Sequence, residues 1–573
     1  MSEIETALPA PVAAGRLVTV RAVATGAVLA VCLCAMNSYL TLSFGVIEEG
    51  PTIAALFFFA FFFWTATRIT SHEMVIVSTM GSAGGSLGFI SNFYAAKAMT
   101  GTPYTLWEMI AFGVVSSLVG MVMVIPLRQL LVIREKLPWP GSKAVAGVIT
   151  ALVEEGDPKQ PRYLLLTFVS MVILVIGNND QGAGWWRAEI AIPKLAAFGA
   201  AIAWTSPFSL GGSYLMGLRT CVGFLFGACA LMAMAKLGWI PAGERETPHH
   251  FFWPGLGFLV ASGLATIAIN WRSVAGAFAS LASIGRSKSA ARDDDPLLSG
   301  RALLIVAVVA FVSASIVLHK VFHVSFLLIL LLIAIGGLLQ NIIATRAAAQ
   351  TAFNPARVMG ILLQGVCALF GGRAAPINLT GAGFVAGSGA QASLLTADLV
   401  YGRWFKVPSR HQFWTQMLTI VPCAVVSAWV FTQINVPGAL ALEGGRHAAP
   451  VAKMWAASAL MFDKGFDALP ANALRSLLWG GAVGVAYTLL EQVKRLHKWL
   501  PDSIGIGLGL VLSVSTGLTF FVGGFIMWIV LGRWLKMRDV TLTTIAVGSI
   551  VAEGIGGVIK PGLIKLGLIH LAQ

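Results

Sequence analysis

Ser78-Thr79-Met80-Gly81-Ser82-Ala83-Gly84-Gly85-Ser86-Leu87-Gly88 and Gly383-Phe384-Val385-Ala386-Gly387-Ser388-Gly389-Ala390-Gln391-Ala392-Ser393-Leu394-Leu395 are two apolar runs broken by the same Gly/Ser punctuation. Each continues from a Ser-Leu pair through six residues to a tyrosine, Ser86-Leu87 to Tyr94 and Ser393-Leu394 to Tyr401. In a bilayer, unwound backbone survives only where it lines a cavity, and paired interrupted segments in two halves of a chain point to a polar path between them. Ser78 to Tyr94 and Gly383 to Gly402 are therefore expected to be broken membrane segments facing each other.

The rest of the chain fits a membrane protein. Of 573 residues, 57% are hydrophobic and 11% charged, with a mean hydropathy of +0.81, too apolar for a soluble chain of this length. Allowing about 20 residues per span, the reading is an all-α polytopic protein with roughly 14 to 16 membrane helices, broken or re-entrant ones included. Met1 to Gly15 carries Glu3 and Glu5 without a basic residue and leads into a run that passes Ala30, unlike a cleaved signal peptide. The net charge of +14 sits in short turns such as Arg128 to Lys136, Arg286 to Arg301, Arg403 to Arg410 and Arg533 to Arg538. That pattern sets membrane orientation, with the N-terminus in the cytoplasm, and nucleic acid is not an expected partner.

Arg286 to Gly300, with three consecutive aspartates, reads as a cytoplasmic linker. It divides the chain into an N-terminal membrane half, 1–285, and a C-terminal half, 301–573. Leu137-Pro138-Trp139-Pro140-Gly141 and Leu500-Pro501-Asp502-Ser503 each open an apolar segment after a basic turn, a second correspondence between the halves. Their spacing from the Gly/Ser runs differs, and the polar insert from about 435 to 472 would absorb the difference.

Three further stretches carry a resemblance: Ala390-Gln391-Ala392-Ser393, Asp398-Leu399-Val400-Tyr401-Gly402 and Pro408-Ser409-Arg410-His411-Gln412. Together they resemble the Asp-Leu-Lys-x-Gly signature and the following turn of the oligopeptide transporter (OPT) superfamily. Asn37-Ser38-Tyr39, Ala83 to Ser86, Leu137 to Gly141, Val522-Gly523-Gly524 and Glu553-Gly554 follow in the family's order. Val400 stands where the family has lysine, so no role resting on that lysine carries over. The resemblance implies two pseudo-symmetric halves around a central site, and a secondary carrier, a proton symporter of small peptides or metal chelates, without a cofactor.

Intramembrane polar groups are costly and usually functional, so they supply the candidate site. Substrate contacts are expected from Asn37, Tyr39, Gly84, Gly85, Ser86, Lys143, Ser388, Gly389, Gln391 and Ser393. Asp398 and Glu553 are the candidate proton carriers. Each has a plainer reading beside it. Asp398 would cap a helix or pair with Arg403 or Arg410, Glu553 would pair with Lys560, Lys143 would snorkel to the interface, and Asn37 and Tyr39 would bond between helices. Glu73 and Glu108 read as solvated helix starts. His319 and His323 share a helix face without a third metal ligand beside them, and the six cysteines read as core residues. The chain has no H-E-x-x-H or G-x-S-x-G and no P-loop lysine motif, which argues against a membrane-embedded enzyme or a built-in ATPase. Two diverged halves argue against a passive channel built from repeated pore loops.

Overall fold

Hydrocarbon offers the backbone no hydrogen-bond partner, and a helix satisfies its own N–H and C=O groups within one segment. The computed structural model is accordingly helical through most of the residues it describes. These are 18–44, 50–63, 68–134, 137, 139–155, 159–178, 185–198, 200–237, 249–269, 271, 295, 297–298, 300–351, 356–435, 440–442, 449–465, 473–493, 495–497 and 499–565. Among them, eight helices are long and apolar enough to cross a membrane, with four shorter apolar ones. The protein is an all-α polytopic membrane protein, and the sequence count falls between these eight spans and the twenty α-helices described.

In chain order, α1 (Val20–Phe44), α2 (Gly50–Phe63), α3 (Ser71–Met99), α4 (Leu106–Leu127), α5 (Pro140–Thr150), α6 (Lys159–Gly177), α7 (Pro207–Met216), α8 (Leu218–Lys236) and α9 (His249–Ile269) precede the expected linker. After it come α10 (Gly300–Ile316), α11 (Phe326–Leu331), α12 (Asn341–Thr351), α13 (Ala356–Leu369), α14 (Ala375–Trp404), α15 (Ser409–Ile434), α16 (Pro450–Lys464), α17 (Ala473–Glu491), α18 (Ser503–Val511), α19 (Val514–Gly524) and α20 (Asp539–Lys565). A π-helical segment, Leu332–Gln340, joins α11 to α12, and another, Arg128–Arg134, continues α4 just past its internal Pro126. Between α6 and α7, β1 (Ile190–Ala191) and β2 (Ala201–Ile202) pair antiparallel. Most of 286–300 lies outside the described residues. At its end, the Asp295 carboxylate accepts the Ser409 N–H at 2.8 Å, fastening that point to the start of α15.

The order of elements repeats. The 14-residue α2 matches the 14-residue α13, the 29-residue α3 the 30-residue α14, and the 19-residue α6 the 19-residue α17. α5 and α16 begin alike: Trp139 and Ala449 take left-handed backbone angles (φ 47° and 38°), and each is followed by a proline. The Trp139 N–H donates to the Ala349 carbonyl at 2.8 Å, and the Ala449 N–H to the Leu42 carbonyl at 2.9 Å. Leu42 and Ala349 are related by the same shift that sets Ser86 on Ser393. This corrects the pairing of Leu137–Gly141 with Leu500–Gly505. Proline starts several helices here, and Pro501 precedes α18, whose place in the order is that of α7.

Packing sorts the helices into two bundles, each drawing on both sides of the linker. α1 to α5 pack with α12 to α16, and α6 to α9 pack with α17 to α20. The bundles meet where α1 lies on α20, α2 on α6 and α13 on α9. In the first bundle α3 and α14 are central. The most apolar 18-residue stretch of α3 is wholly buried, whereas α10 presents Leu304, Ile305 and Val308 outward, as a lipid-facing helix does.

Candidate functional site

The two Gly/Ser stretches are at the centre of the first bundle, but they are not broken. Ser71–Met99 and Ala375–Trp404 run as continuous α-helices. The physical reason lies opposite the glycines. A Cβ on Gly84 would stand 2.4 Å from the Ala30 carbonyl oxygen, and one on Gly88 would stand 2.4 Å from Asn37 Cβ. These glycines let α3 lie against α1 at backbone distance, and the helical hydrogen bonds are kept. A Cβ on Gly387 would likewise stand 2.5 Å from the hydroxyl oxygen of Ser116 on α4.

α3 and α14 meet through polar atoms. The Ser86 hydroxyl donates to Gln391 Oε1, and Gln391 Nε2 lies 3.4 Å from the Met121 sulfur. From α15, Gln412 Nε2 reaches Thr79 Oγ1 at 2.8 Å and the Asp398 backbone carbonyl at 2.9 Å. One turn on, both amide atoms of Gln416 are buried without a hydrogen-bond partner. A buried polar strip therefore follows α3 and α14, the kind of interior that a polar cargo requires and an apolar core avoids. Outside this strip, on the side where α3 packs against α1, the Ser427 hydroxyl donates to the Leu87 carbonyl at 3.0 Å and lies 3.2 Å from Ser91 Oγ.

The expected site residues divide on this frame. Gly85, Ser86, Ser388, Gly389, Gln391, Ser393 and Asp398 are buried on the two central helices. The Ser388 hydroxyl turns back to the Val385 carbonyl at 2.8 Å. Asn37 is buried against Gly88, whereas Tyr39 lies against Gly557 of α20 in the other bundle, so these two do not share a site. Lys143 is exposed in the first turn of α5, while Lys453, at the matching place in α16, is buried.

Glu553 belongs to the second bundle and does not join the cluster. Its carboxylate accepts the Ser206 hydroxyl at 2.8 Å and the Phe208 N–H at 2.6 Å, at the start of α7, where backbone donors favour an anion. Lys560 donates to Asn178 Oδ1 at 3.0 Å.

Other acids and bases have structural employment. The solvated start expected at Glu73 is corrected: the residue is buried, 2.6 Å from Arg21, and it closes a capping box with Thr70. Glu108 caps α4 with Thr105. In the turn between α3 and α4, burial holds the Tyr104 phenol above its ordinary value, and Thr380 lies 2.7 Å away. The ring of His319 lies 3.0 Å from the Val324 carbonyl.

Among the buried polar residues that the sequence reading does not single out are Gln340, Asn341, Thr345 and Gln416. The first two form an amide pair inside an otherwise apolar run, a local signal that was there to be read. A cavity of about 290 Å³ lies elsewhere, between α9, α13, α16 and α17. Its walls, Leu256, Val260, Met461 and Leu477 among them, offer a polar cargo only Ser458.

A buried polar strip between two repeat-related helices, in a bundle assembled from both parts of the chain, defines the class as a membrane transporter rather than an enzyme. The family model of the OPT oligopeptide transporter protein matches residues 17–561, and the chain belongs to that family. It is similar to a Saccharomyces cerevisiae protein described as a candidate oligopeptide transporter, 22% identical over 82% of each chain. It is also similar to a protein of Oryza sativa subsp. japonica described as a metal-nicotianamine transporter, 28% identical over 31% of this chain and 26% of the relative.

Proposed function

We propose that this protein is a secondary active carrier that moves small peptides or metal chelates with protons across the cell membrane, its N-terminus in the cytoplasm. The names of the two relatives support both kinds of cargo. The observation that carries the reading is the Ser86–Gln391 contact between α3 and α14, flanked by the buried Gln412, Gln416 and Asp398. Cargo binds along this strip. Access alternates as one bundle rocks against the other at the α1–α20, α2–α6 and α9–α13 contacts, a motion suited to repeat-built carriers.

Asp398 is the first candidate for the coupling proton, because its carboxyl is 1% exposed on the central helix and an intramembrane carboxylate usually serves transport. Glu553 is the second. The test is uptake into proteoliposomes under an imposed pH gradient. Wild type should concentrate a tripeptide or a chelate. Asp398→Asn should lose uphill uptake and keep substrate exchange, since the amide preserves shape and hydrogen bonding but cannot ionise. Uphill uptake by Asp398→Asn with wild-type pH dependence would move the coupling role to Glu553, tested by Glu553→Gln. No uphill uptake by wild type would end the symport reading.

A further inference from the structure

Gln340 and Asn341 stand together where the π-helical segment Leu332–Gln340 gives way to α12. They are 3% and 0% exposed, and all four of their amide atoms lack a hydrogen-bond partner. The Thr345 hydroxyl, one turn along the same face, is also buried and unpartnered. Both amides aim at one point on α14: a Cβ on Gly389 would lie 2.8 Å from Asn341 Oδ1 and 3.6 Å from Gln340 Nε2. Nearby on α14, Gln391 spends its own Nε2 on the Met121 thioether, a weak acceptor.

Buried polar atoms are normally paired, and leaving them unpaired destabilises the fold. The same positions in the other repeat do not bear this cost. The shift that sets Ser86 on Ser393 sets Leu33 on Gln340, Cys34 on Asn341 and Ser38 on Thr345. Leu33 is apolar, the Cys34 thiol donates to the Cys423 carbonyl at 3.2 Å, and the Ser38 hydroxyl donates to the Cys34 carbonyl at 2.8 Å. At these three positions only the C-terminal repeat carries unsatisfied amides, and it carries them beside a π-helical segment, a local distortion that recurs at functional sites.

We propose that Gln340, Asn341 and Thr345 form a subsite that reads the main-chain amide of a peptide cargo beside Gly389. A carboxamide presents a donor and an acceptor together, and a peptide unit presents the complementary pair. A carboxylate-rich chelate offers acceptors only and calls for guanidinium or ammonium partners. Gln340, Asn341, Thr345, Gln391 and Met121 carry no formal charge, and the adjacent Arg346 has an interaction of its own. The inference rests on the carrier reading above and narrows its cargo to peptides at this point.

The test uses the full chain in detergent or nanodiscs, with three probes: trialanine, trialanine methylated at its amide nitrogens, and nickel(II) nitrilotriacetate as a chelate without peptide bonds. Asn341→Leu and Gln340→Met should each weaken trialanine binding by about tenfold or more, the size of effect that lost buried hydrogen bonds produce. Without peptide, both variants should melt no lower than wild type, because an unpaired polar group has been removed. Methylated trialanine should bind wild type as weakly as trialanine binds the variants. Gly389→Ala keeps both amides and displaces the Asn341 oxygen, so it should fold and still weaken trialanine.

Equal trialanine binding by wild type and all three variants would overturn the subsite and leave the carrier reading intact. Variants at 340 and 341 that melt well below wild type would show the amides to be structural, and would overturn it too. Wild type binding the nickel chelate and not trialanine would keep a carrier and reject the peptide. Wild type binding neither probe would remove the cargo reading and this subsite with it.

Discussion

The seam between α1 and α3 and its repeat-related counterpart between α12 and α14 use the same residue types for opposite ends. In the first, Gly81, Gly84 and Gly88 recur one turn apart, and α1 presses against the last two at backbone distance. In the second, Gly389 faces not backbone but the side-chain oxygen of Asn341, and polar groups fill the space between the helices. One seam is a close-packed joint and the other a polar lining. Glycine content does not separate a joint from a path; the atom opposite each glycine does. A carrier built from a repeat needs such a difference, because two identical joints would leave the cargo no polar surface in the centre.

The largest expected effect is at the joint. Gly84→Ala would put a methyl group 2.4 Å from the Ala30 carbonyl oxygen and 2.9 Å from the Cys34 nitrogen. Neither atom can move without its helix, so the substitution should destabilise by about 3 kcal/mol or more, read as a lower melting temperature in detergent. Gly389→Ala meets the end of a flexible side chain instead, and the gain in helix propensity, about 1 kcal/mol, offsets part of the crowding. A Gly84→Ala protein that melts with Gly389→Ala would abolish the distinction between the two seams.

An intermediate effect belongs to a paired hydroxyl at the joint's edge. Ser427 donates to the Leu87 carbonyl at 3.0 Å and lies within 3.3 Å of the hydroxyls of Ser38 and Ser91. Ser427→Ala should lower stability by about 1 kcal/mol and leave the affinity for trialanine unchanged. A drop in affinity without a drop in melting temperature would move Ser427 out of the packing and into the path.

The same contrast explains what could be read from sequence. The membrane class, the family and the pairing of the two Gly/Ser stretches were legible, because composition and local motifs carry them. Ser86 and Gln391 do meet, as facing segments should. The break in the helices was misread, since glycine serves unwound backbone and tight packing alike, and only the partner helix decides between them. Glu73 was misread because its partner Arg21 lies 52 positions away in sequence. Lys453 was missed because two proline motifs, at Pro138 and Pro501, drew the repeat alignment away from Pro450. Gln340-Asn341 stood in plain view, but the π-helical register that turns both amides toward Gly389 has no local signature.

The smallest expected effect tests whether unpaired polar atoms mark the path on α3 as well. Ser82 is related by the repeat shift to Gly389, is 0% exposed, and its hydroxyl oxygen has no hydrogen-bond partner. Removing a buried hydroxyl that is already unpaired deletes a desolvation penalty and leaves only a small void, so Ser82→Ala should change stability by less than about 1 kcal/mol, toward greater stability. Thermal unfolding of Ser82→Ala beside Ser427→Ala measures this directly: two buried serines, one paired and one not, should shift the melting temperature in opposite directions. Tripeptide uptake by Ser82→Ala should show a raised KM, because the hydroxyl that packing does not use is the one left for cargo. Equal losses of stability at both positions would mean that Ser82 is packed like Ser427, and the polar lining would then be confined to the side of α14.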